Sequence, residues 1–428
     1  MELANPADGM RHSIAFVPED RPKDAVFPDL SLAENLTMGH LGPFVRYGSV
    51  NHRAVRKAGR DAITEFGVKA ASEQVPIASL SGGNQQKISV ARWLASPPTP
   101  TPAPTPPTES HRPKVPHIVE ASGLVVLTVI LAIVWALLPD TSRSFPSLAN
   151  LRVVLLSQAV LVIVTMGALV PLICKQYDFS VGAVCGLSSI LAASVLAGGG
   201  SLVMAILAGI AVALLVGLVN GVLVTVVGVD SVIVTLGMTT LLAGVATWKT
   251  GGLSILSGIP ESLLSITNPL VVGVPISFAI ALVITIIAGY TMRSTPFGRY
   301  LHAIGSNVSA ARLIGLPTRR LTLGAFLISA LAAGAAGIVL LGTTGAGNPR
   351  VGPELTLPAI AAGFLSVAAI KPGRFNVWGA FVAIMFLAVL NSGLNLMGVS
   401  SYVNDFANGI ALIAGVSLSA VLGRRQPA

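Results

Sequence analysis

Several groups of residues in this 428-residue chain are placed to do chemistry. Ser81-Gly82-Gly83, followed by Asn84-Gln85-Gln86-Lys87, forms a small-residue turn ahead of a helical stretch. Such a turn bares backbone N–H groups at the positive end of a helix dipole, an arrangement suited to a phosphate. Further along, Asn307 precedes Val308-Ser309-Ala310-Ala311-Arg312-Leu313-Ile314-Gly315. Asn307 can accept the free N–H groups of a first helical turn, and Gly315 can take the left-handed conformation that ends it. With Pro317 preventing restart, the spacing predicts a two-turn helix over 308–314. Val308, Ala311 and Ile314 then share a face, either as a knob for a partner's groove or as part of a solvated basic loop. Asp178 stands in an apolar stretch, where it either caps a helix beginning at Ser180 or lines a polar path; Asp405 and Asn408 invite the same two readings. Cys174 and Cys185 both lie in apolar context and imply neither a disulfide framework nor redox chemistry. No metal site and no catalytic group is expected.

The elements that carry these residues are built for lipid. The chain is 53% hydrophobic and 11% charged, whereas a soluble domain is nearer a quarter charged. Residues 1–117 hold 24 of the 45 Asp, Glu, Lys and Arg, so a polar part precedes an apolar one. Nine prolines in 97–116 predict an extended spacer between them. Beyond it, apolar runs at 118–138, 151–174, 180–198, 201–228, 231–247, 270–292, 321–344, 355–370, 376–397 and 402–422 are candidate membrane spans, which need about 20 helical residues. The fifth is expected to be short or broken, by Gly237 and Gly244, and the eighth likewise, by Pro358. About ten spans, with both termini on one side, put Arg112, Lys114, Lys175, Arg293, Arg299, Arg312, Arg319, Arg320, Lys371, Arg374, Arg424 and Arg425 on that side. Arg143, Arg152, Lys249 and Arg350 fall on the other. The positive-inside rule makes the first side cytoplasmic. The net charge of +9 is then topogenic, and no nucleic-acid partner is called for. Gly182-x-x-x-Gly186, Gly217-x-x-x-Gly221, Gly334 and Gly337 supply small faces for helix packing in lipid.

The apolar part resembles the permease subunits of ATP-binding-cassette importers for monosaccharides. The resemblance is carried by Asp178-Phe179-Ser180-Val181-Gly182, by Val234-Thr235-Leu236-Gly237, by Gly298 through Asn307 with Ala310-Ala311-Arg312, and by Leu390 through Val399. It departs from the family at Lys175-Gln176-Tyr177, where Gly-Gly-Ile is usual, and after Glu354-Leu355, where a Gly-rich turn is common. The resemblance implies that Gly305, Asn307, Ala310, Ala311, Arg312 and Gly315 couple the permease to its ATPase. It also implies a translocation path, for which Asp178, Asn220, Asn391 and Asn395 are candidates. The implied partners are ABC ATPase subunits that use ATP, an extracytoplasmic sugar-binding protein, a second permease copy and membrane lipid. The implied location is the cell membrane.

The polar part resembles the second half of a sugar-importer ATPase: Leu80 through Lys87 looks like its signature motif, and Val17-Pro18-Glu19-Asp20-Arg21 and Ser31-Leu32-Ala33-Glu34-Asn35 also match. The phosphate-cradling Gly-Lys pair occurs nowhere in the chain, so Ser81, Gly82, Gly83 and Gln85 form a signature without its nucleotide-binding core. The expected organisation is a truncated α/β ATPase fragment over 1–96 that does not hydrolyse ATP by itself, a linker over 97–117 and a mainly helical transmembrane bundle over 118–428. Independent folding of 1–96 is doubtful, since the sheet its apolar residues need is missing. The leading function is the permease subunit of a monosaccharide importer. The alternatives are a transport-inactive fusion remnant or a regulatory decoy that binds the ATPase partners. An ATP-independent channel or secondary transporter would need coupling acids at the midplane, which the spans scarcely supply.

Overall fold

The computed structural model describes residues 25–94 and 117–400, except 272 and 371–372, together with residues 6, 18, 402–404, 406–410, 413 and 417. The Pro-rich stretch 97–116, the motif at 17–21 apart from Pro18, and Lys371, Asp405, Arg424 and Arg425 lie outside the described residues. The described residues form two compact units. One comprises residues up to Ile118 with Tyr290–Leu321; the other comprises Val119–Gly289 with Thr322–Leu422.

The first unit begins with α1, Leu32–Thr37, a short helix started by a capping box in which the Ser31 and Glu34 side chains reciprocally bond each other's backbone N–H. A hairpin of β1, Val45–Arg46, and β2, Ser49–Val50, turns the chain into α2, His52–Glu65, capped by Asn51. α3, Gly82–Leu94, closes the segment. Val26, Leu32, Val68, Ile77 and Ile88 bury one apolar cluster, and Ala33, Leu41, Phe44, Val50 and Val55 another. Arg92 threads between them: its guanidinium donates to the carbonyls of Asn35 and Ala25 and to Asn35 Oδ1. Burial pulls its pKa down to about 10, still high enough to keep it charged at neutral pH. The expected α/β piece is therefore a helical cluster with a single two-stranded hairpin among residues 25–94. It packs apolar residues against each other without a larger sheet.

The second unit is helical. In chain order it contains α4 (His117–Leu137), α5 (Leu148–Ile173), α6 (Val181–Ala197), α7 (Leu202–Val222), α8 (Ser231–Thr250) and the short α9 (Glu261–Thr267). A hairpin of β3, Leu270–Val271, and β4, Val274–Pro275, then leads into α10, Ile276–Ser294. Two helices of the first unit follow, α11 (Pro296–Ser306) and α12 (Val308–Leu313). The chain continues through α13 (Thr318–Thr344), α14 (Val351–Glu354), α15 (Thr356–Leu365) and α16 (Val377–Leu396). Among the described residues, seven helical stretches are long and apolar enough to cross a membrane: Leu148–Ile173, Leu202–Val227, Ser231–Thr250, Ile276–Ser294, Thr318–Thr344, Val351–Ala368 and Val377–Leu396. Gly123–Leu137 and Val181–Ala197 are shorter apolar helices. Ten spans are thus not reached among the described residues, and 402–422 lies largely outside them.

Three boundary expectations are corrected. α8 runs unbroken through Gly237 and Gly244, because a glycine weakens a helix by only about 1 kcal/mol relative to alanine. Pro358 does not break the eighth segment either. It is the third residue of α15, where its missing N–H is one that a first turn leaves unpaired anyway; the break falls at Leu355. The 270–292 run opens as a hairpin, and its helix starts only at Ile276, after Pro275.

The core of this unit is made by close approach. Residues Ala159 through Ile173 of α5 are all buried, and α6 is buried along most of its length. Gly186 faces Gly352 so tightly that an added Cβ would lie 3.1 Å from the Gly352 Cα. At Gly334 an added Cβ would lie 2.7 Å from that of Ala213, and at Gly337 it would run into the Cys185 carbonyl. These glycines do the packing that the sequence assigns to them.

Candidate functional site

The loop 294–315 is positioned by local chemistry. The Thr295 hydroxyl accepts from the Gly298 N–H at 3.3 Å, and Pro296 opens α11. At its end Asn307 leaves helical geometry, with φ −157° and ψ 103°. Its Oδ1 accepts from the Ala310 N–H at 3.0 Å and starts α12. Gly315 then takes φ +72°, and the Leu316 N–H returns to the Ala311 carbonyl at 3.0 Å. The predicted capped helix is present, but of the face expected to be presented to a partner only Val308 is exposed. Ala310, Ala311 and Ile314 are buried, whereas Val308 is 41% exposed. Gly305 is buried and Arg312 is exposed.

Residues 26–52 of the same unit lie against this loop. Arg299 donates to Glu34 Oε1 at 3.0 Å and to His52 Nδ1 at 2.9 Å. Asn307 Nδ2 donates to the Val26 carbonyl at 3.0 Å, and the Asp29 N–H donates to Ser306 Oγ at 2.9 Å. Ser49 Oγ reaches the Ser294 carbonyl at 3.3 Å. Tyr300 packs on the cluster of Ala33, Leu41, Phe44, Val50 and Val55, and burial pushes its phenol above the ordinary range. Sequence reasoning missed Arg299, Glu34 and His52. Glu34 carried a capping signal that accounted for it locally, yet its second carboxylate oxygen is the one that meets Arg299.

The signature residues form a separate feature. α3 begins at Gly82, and both Gly82 and Gly83 are exposed, with open space around them. Ser81 Oγ accepts from Asn84 Nδ2, and Gln85 Nε2 donates to the Leu80 carbonyl. The turn is thus held by its own side chains.

In the second unit, Asp178 is buried and accepts from the Ser180 N–H, the Ser180 hydroxyl and the Ser329 hydroxyl at 3.0, 2.6 and 2.8 Å. Ser180 Oγ accepts in turn from Asn220 Nδ2 at 2.9 Å, while the buried Asn220 Oδ1 has no hydrogen-bond partner among the described residues. Asp178 therefore fixes the turn into α6 and ties it to α7 and α13. The same turn is bound to α8 through Ser231 and Thr235, which accept from the N–H groups of Tyr177 and Phe179. Tyr177, Phe179 and Phe364 stack, with Phe375 edge-on to Phe364 at 5.8 Å. This aromatic surface was not found from sequence, although Tyr177 stood out as a departure. Lys175, at φ +58°, occupies a conformation that glycine adopts without strain. Asn391 and Asn395 belong elsewhere: Asn391 Nδ2 donates to Asn408 Oδ1, and Asn395 Oδ1 accepts from Asn404 Nδ2. The four path candidates thus fall into two clusters with no residue in common.

Residues 150–416 match a family model described as "Branched-chain amino acid transport system / permease component". The chain belongs to this permease family. Its members include proteins similar to this one along nearly their whole length. The ribose import permease protein RbsC of Escherichia coli is 31% identical over 304 residues, 70% of this chain and 93% of the relative. That of Haemophilus influenzae is 28% identical over 316 residues, 72% of this chain and 95% of the relative. The autoinducer 2 import system permease protein LsrC of Escherichia coli is 31% identical over 290 residues, 67% of this chain and 84% of the relative. No solved structure matches. Family membership and seven long apolar helices make this permease a multi-pass membrane protein.

Proposed function

We propose that this permease is the membrane subunit of an ATP-driven importer for a monosaccharide or a similarly small polyhydroxylated solute. The observation that carries the reading is its likeness to a ribose import permease over 93% of that protein's length. The chain forms the translocation path in the inner membrane, beside a second permease copy, with both termini cytoplasmic. An extracytoplasmic binding protein delivers the solute. Separate ATPase subunits bind and hydrolyse ATP, and this chain holds no nucleotide of its own.

Energy enters at the 294–315 loop. Asn307 and Gly315 delimit a rigid two-turn helix, and Arg312 stands exposed on it for contact with the ATPase. A displaced α12 transmits motion to α13, because only Ile314 through Pro317 separate the two helices. On the solute side, an unpartnered Asn220 carbonyl and stacked aromatic rings are the kinds of group that bind sugar hydroxyls and ring faces. The polar turn at Asp178 holds these groups in place.

The test is uptake of labelled ribose in cells that lack their own ribose permease but keep the ATPase and the binding protein. Uptake above background is expected. Background uptake of ribose and of other labelled pentoses and hexoses, with the chain verified in the membrane, overturns the proposal.

A further inference from the structure

The polar contacts of residues 26–52 run along one continuous stretch of loop, from Ser294 to Asn307. The centre of this stretch is Arg299, whose guanidinium is largely buried and shared between Glu34 and His52. A charge so placed is costly unless an acid accompanies it, and Glu34 is that acid. The far end is Asn307, which uses its Oδ1 to start α12 and its Nδ2 to hold Val26. One side chain therefore joins the start of the exposed helix to the N-terminal segment. Ser81, Gly82 and Gly83 make none of these bonds.

We propose that residues 25–94 are an intramolecular cap on this loop, one that an ATPase subunit must displace in order to dock. The cap itself stands on the contacts above; the competition rests on the reading of the loop as the docking site. Tethering favours the cap. Only residues 95–116 connect it to α4, and a short tether gives an effective concentration of roughly millimolar. A free ATPase at lower concentration gains the loop only when the cap is loosened. Loosening acts through the Arg299–Glu34 pair, so breaking that pair opens access to the loop. The cap thus differs from a decoy that captures ATPase subunits: its target is its own loop.

The cap is tested in the full chain, in membranes, with a protease site inserted within 97–116. After cleavage and washing, the 25–94 piece is expected to stay with the membranes. Arg299→Glu should release at least tenfold more of it, and Glu34→Arg combined with Arg299→Glu should restore retention. Equal release from the unsubstituted and Arg299→Glu chains overturns the cap, and the double substitution separates loss of the ion pair from loss of folding. Competition is read separately, by co-sedimenting a purified ribose-importer ATPase with membranes holding the intact chain or its Glu34→Arg variant, which leaves the loop unaltered. At least tenfold more ATPase on the variant is expected. Equal binding to both overturns the competition, while no binding to either refutes the docking reading of the loop and leaves the cap to its own test.

Discussion

The two units differ in where they rely on close backbone approach and where on polar bonds. In the second, helices approach closely at glycines: Gly186 abuts the Gly352 backbone and Gly334 abuts the Ala213 methyl. In the first, the loop around Arg299 meets residues 26–52 through individual polar bonds beside the packing of Tyr300 on an apolar cluster. Close packing admits one arrangement, because any added atom collides. Polar bonds can be exchanged for bonds to another partner of matching charge. The comparison teaches that the second unit is built to stay assembled and the first to be rearranged.

The sharpest way to break this comparison is to add volume where backbones touch. Gly352→Leu puts a side chain into the Gly182 carbonyl and the Gly186 backbone, and should prevent accumulation of folded protein in membranes. Fluorescence-detected size-exclusion of detergent extracts measures this; a normal monodisperse peak would show that the close approach is not structural. Next in size is Asp178→Ala, which strips the Ser180 and Ser329 hydroxyls of their acceptor. Unpaired buried groups cost about 1–3 kcal/mol each, so a clear fall in melting temperature and in uptake is expected. Unchanged thermal stability would contradict the assigned role of the turn.

Smaller effects are expected in the first unit. Arg312→Glu lies on an exposed position, so folding should change by no more than about 0.5 kcal/mol while ATPase co-sedimentation is lost. Retained co-sedimentation removes Arg312 from the docking surface. Ser81→Ala breaks only a bond to Asn84 at the surface and should leave uptake as it is. A drop in uptake would mean that the signature turn still has work to do.

How much of this was legible in the sequence depended on whether the cause was local. The α12 helix was readable because Asn307 and Gly315 are a start and a stop whose chemistry lies within a few residues. The linked glycines were readable because helical spacing alone puts them on one face. Where packing decided, the reading was partial. Val308, Ala311 and Ile314 were read as one presented face, yet Ala311 and Ile314 are buried, since periodicity cannot say which side of a six-residue helix will be covered. Glu34 and Arg299 are 265 residues apart, and nothing local to either announced the other. Phe364 and Phe375 looked like ordinary apolar residues until Tyr177 was placed beside Phe364. Asp178 was read as either a cap or a path residue. The helix begins at Val181, with Ser180 at its N-cap and no side-chain cap bond, so Asp178 closes the turn before it rather than capping it, and its link through Ser180 to Asn220 joins it to the candidate solute site.

The central claim, that the loop holds either its own N-terminal segment or an ATPase, is tested most directly by locking the first state. Asp29→Cys with Ser306→Cys puts a thiol on each of two residues joined by the hydrogen bond from the Asp29 N–H to Ser306 Oγ, and the native Cys174 and Cys185 are buried. Oxidation in native membranes is expected to form the cross-link and stop labelled-ribose uptake, and a reductant is expected to restore it. A cross-linked chain that transports at the full rate, or a pair that never cross-links, would contradict the claim.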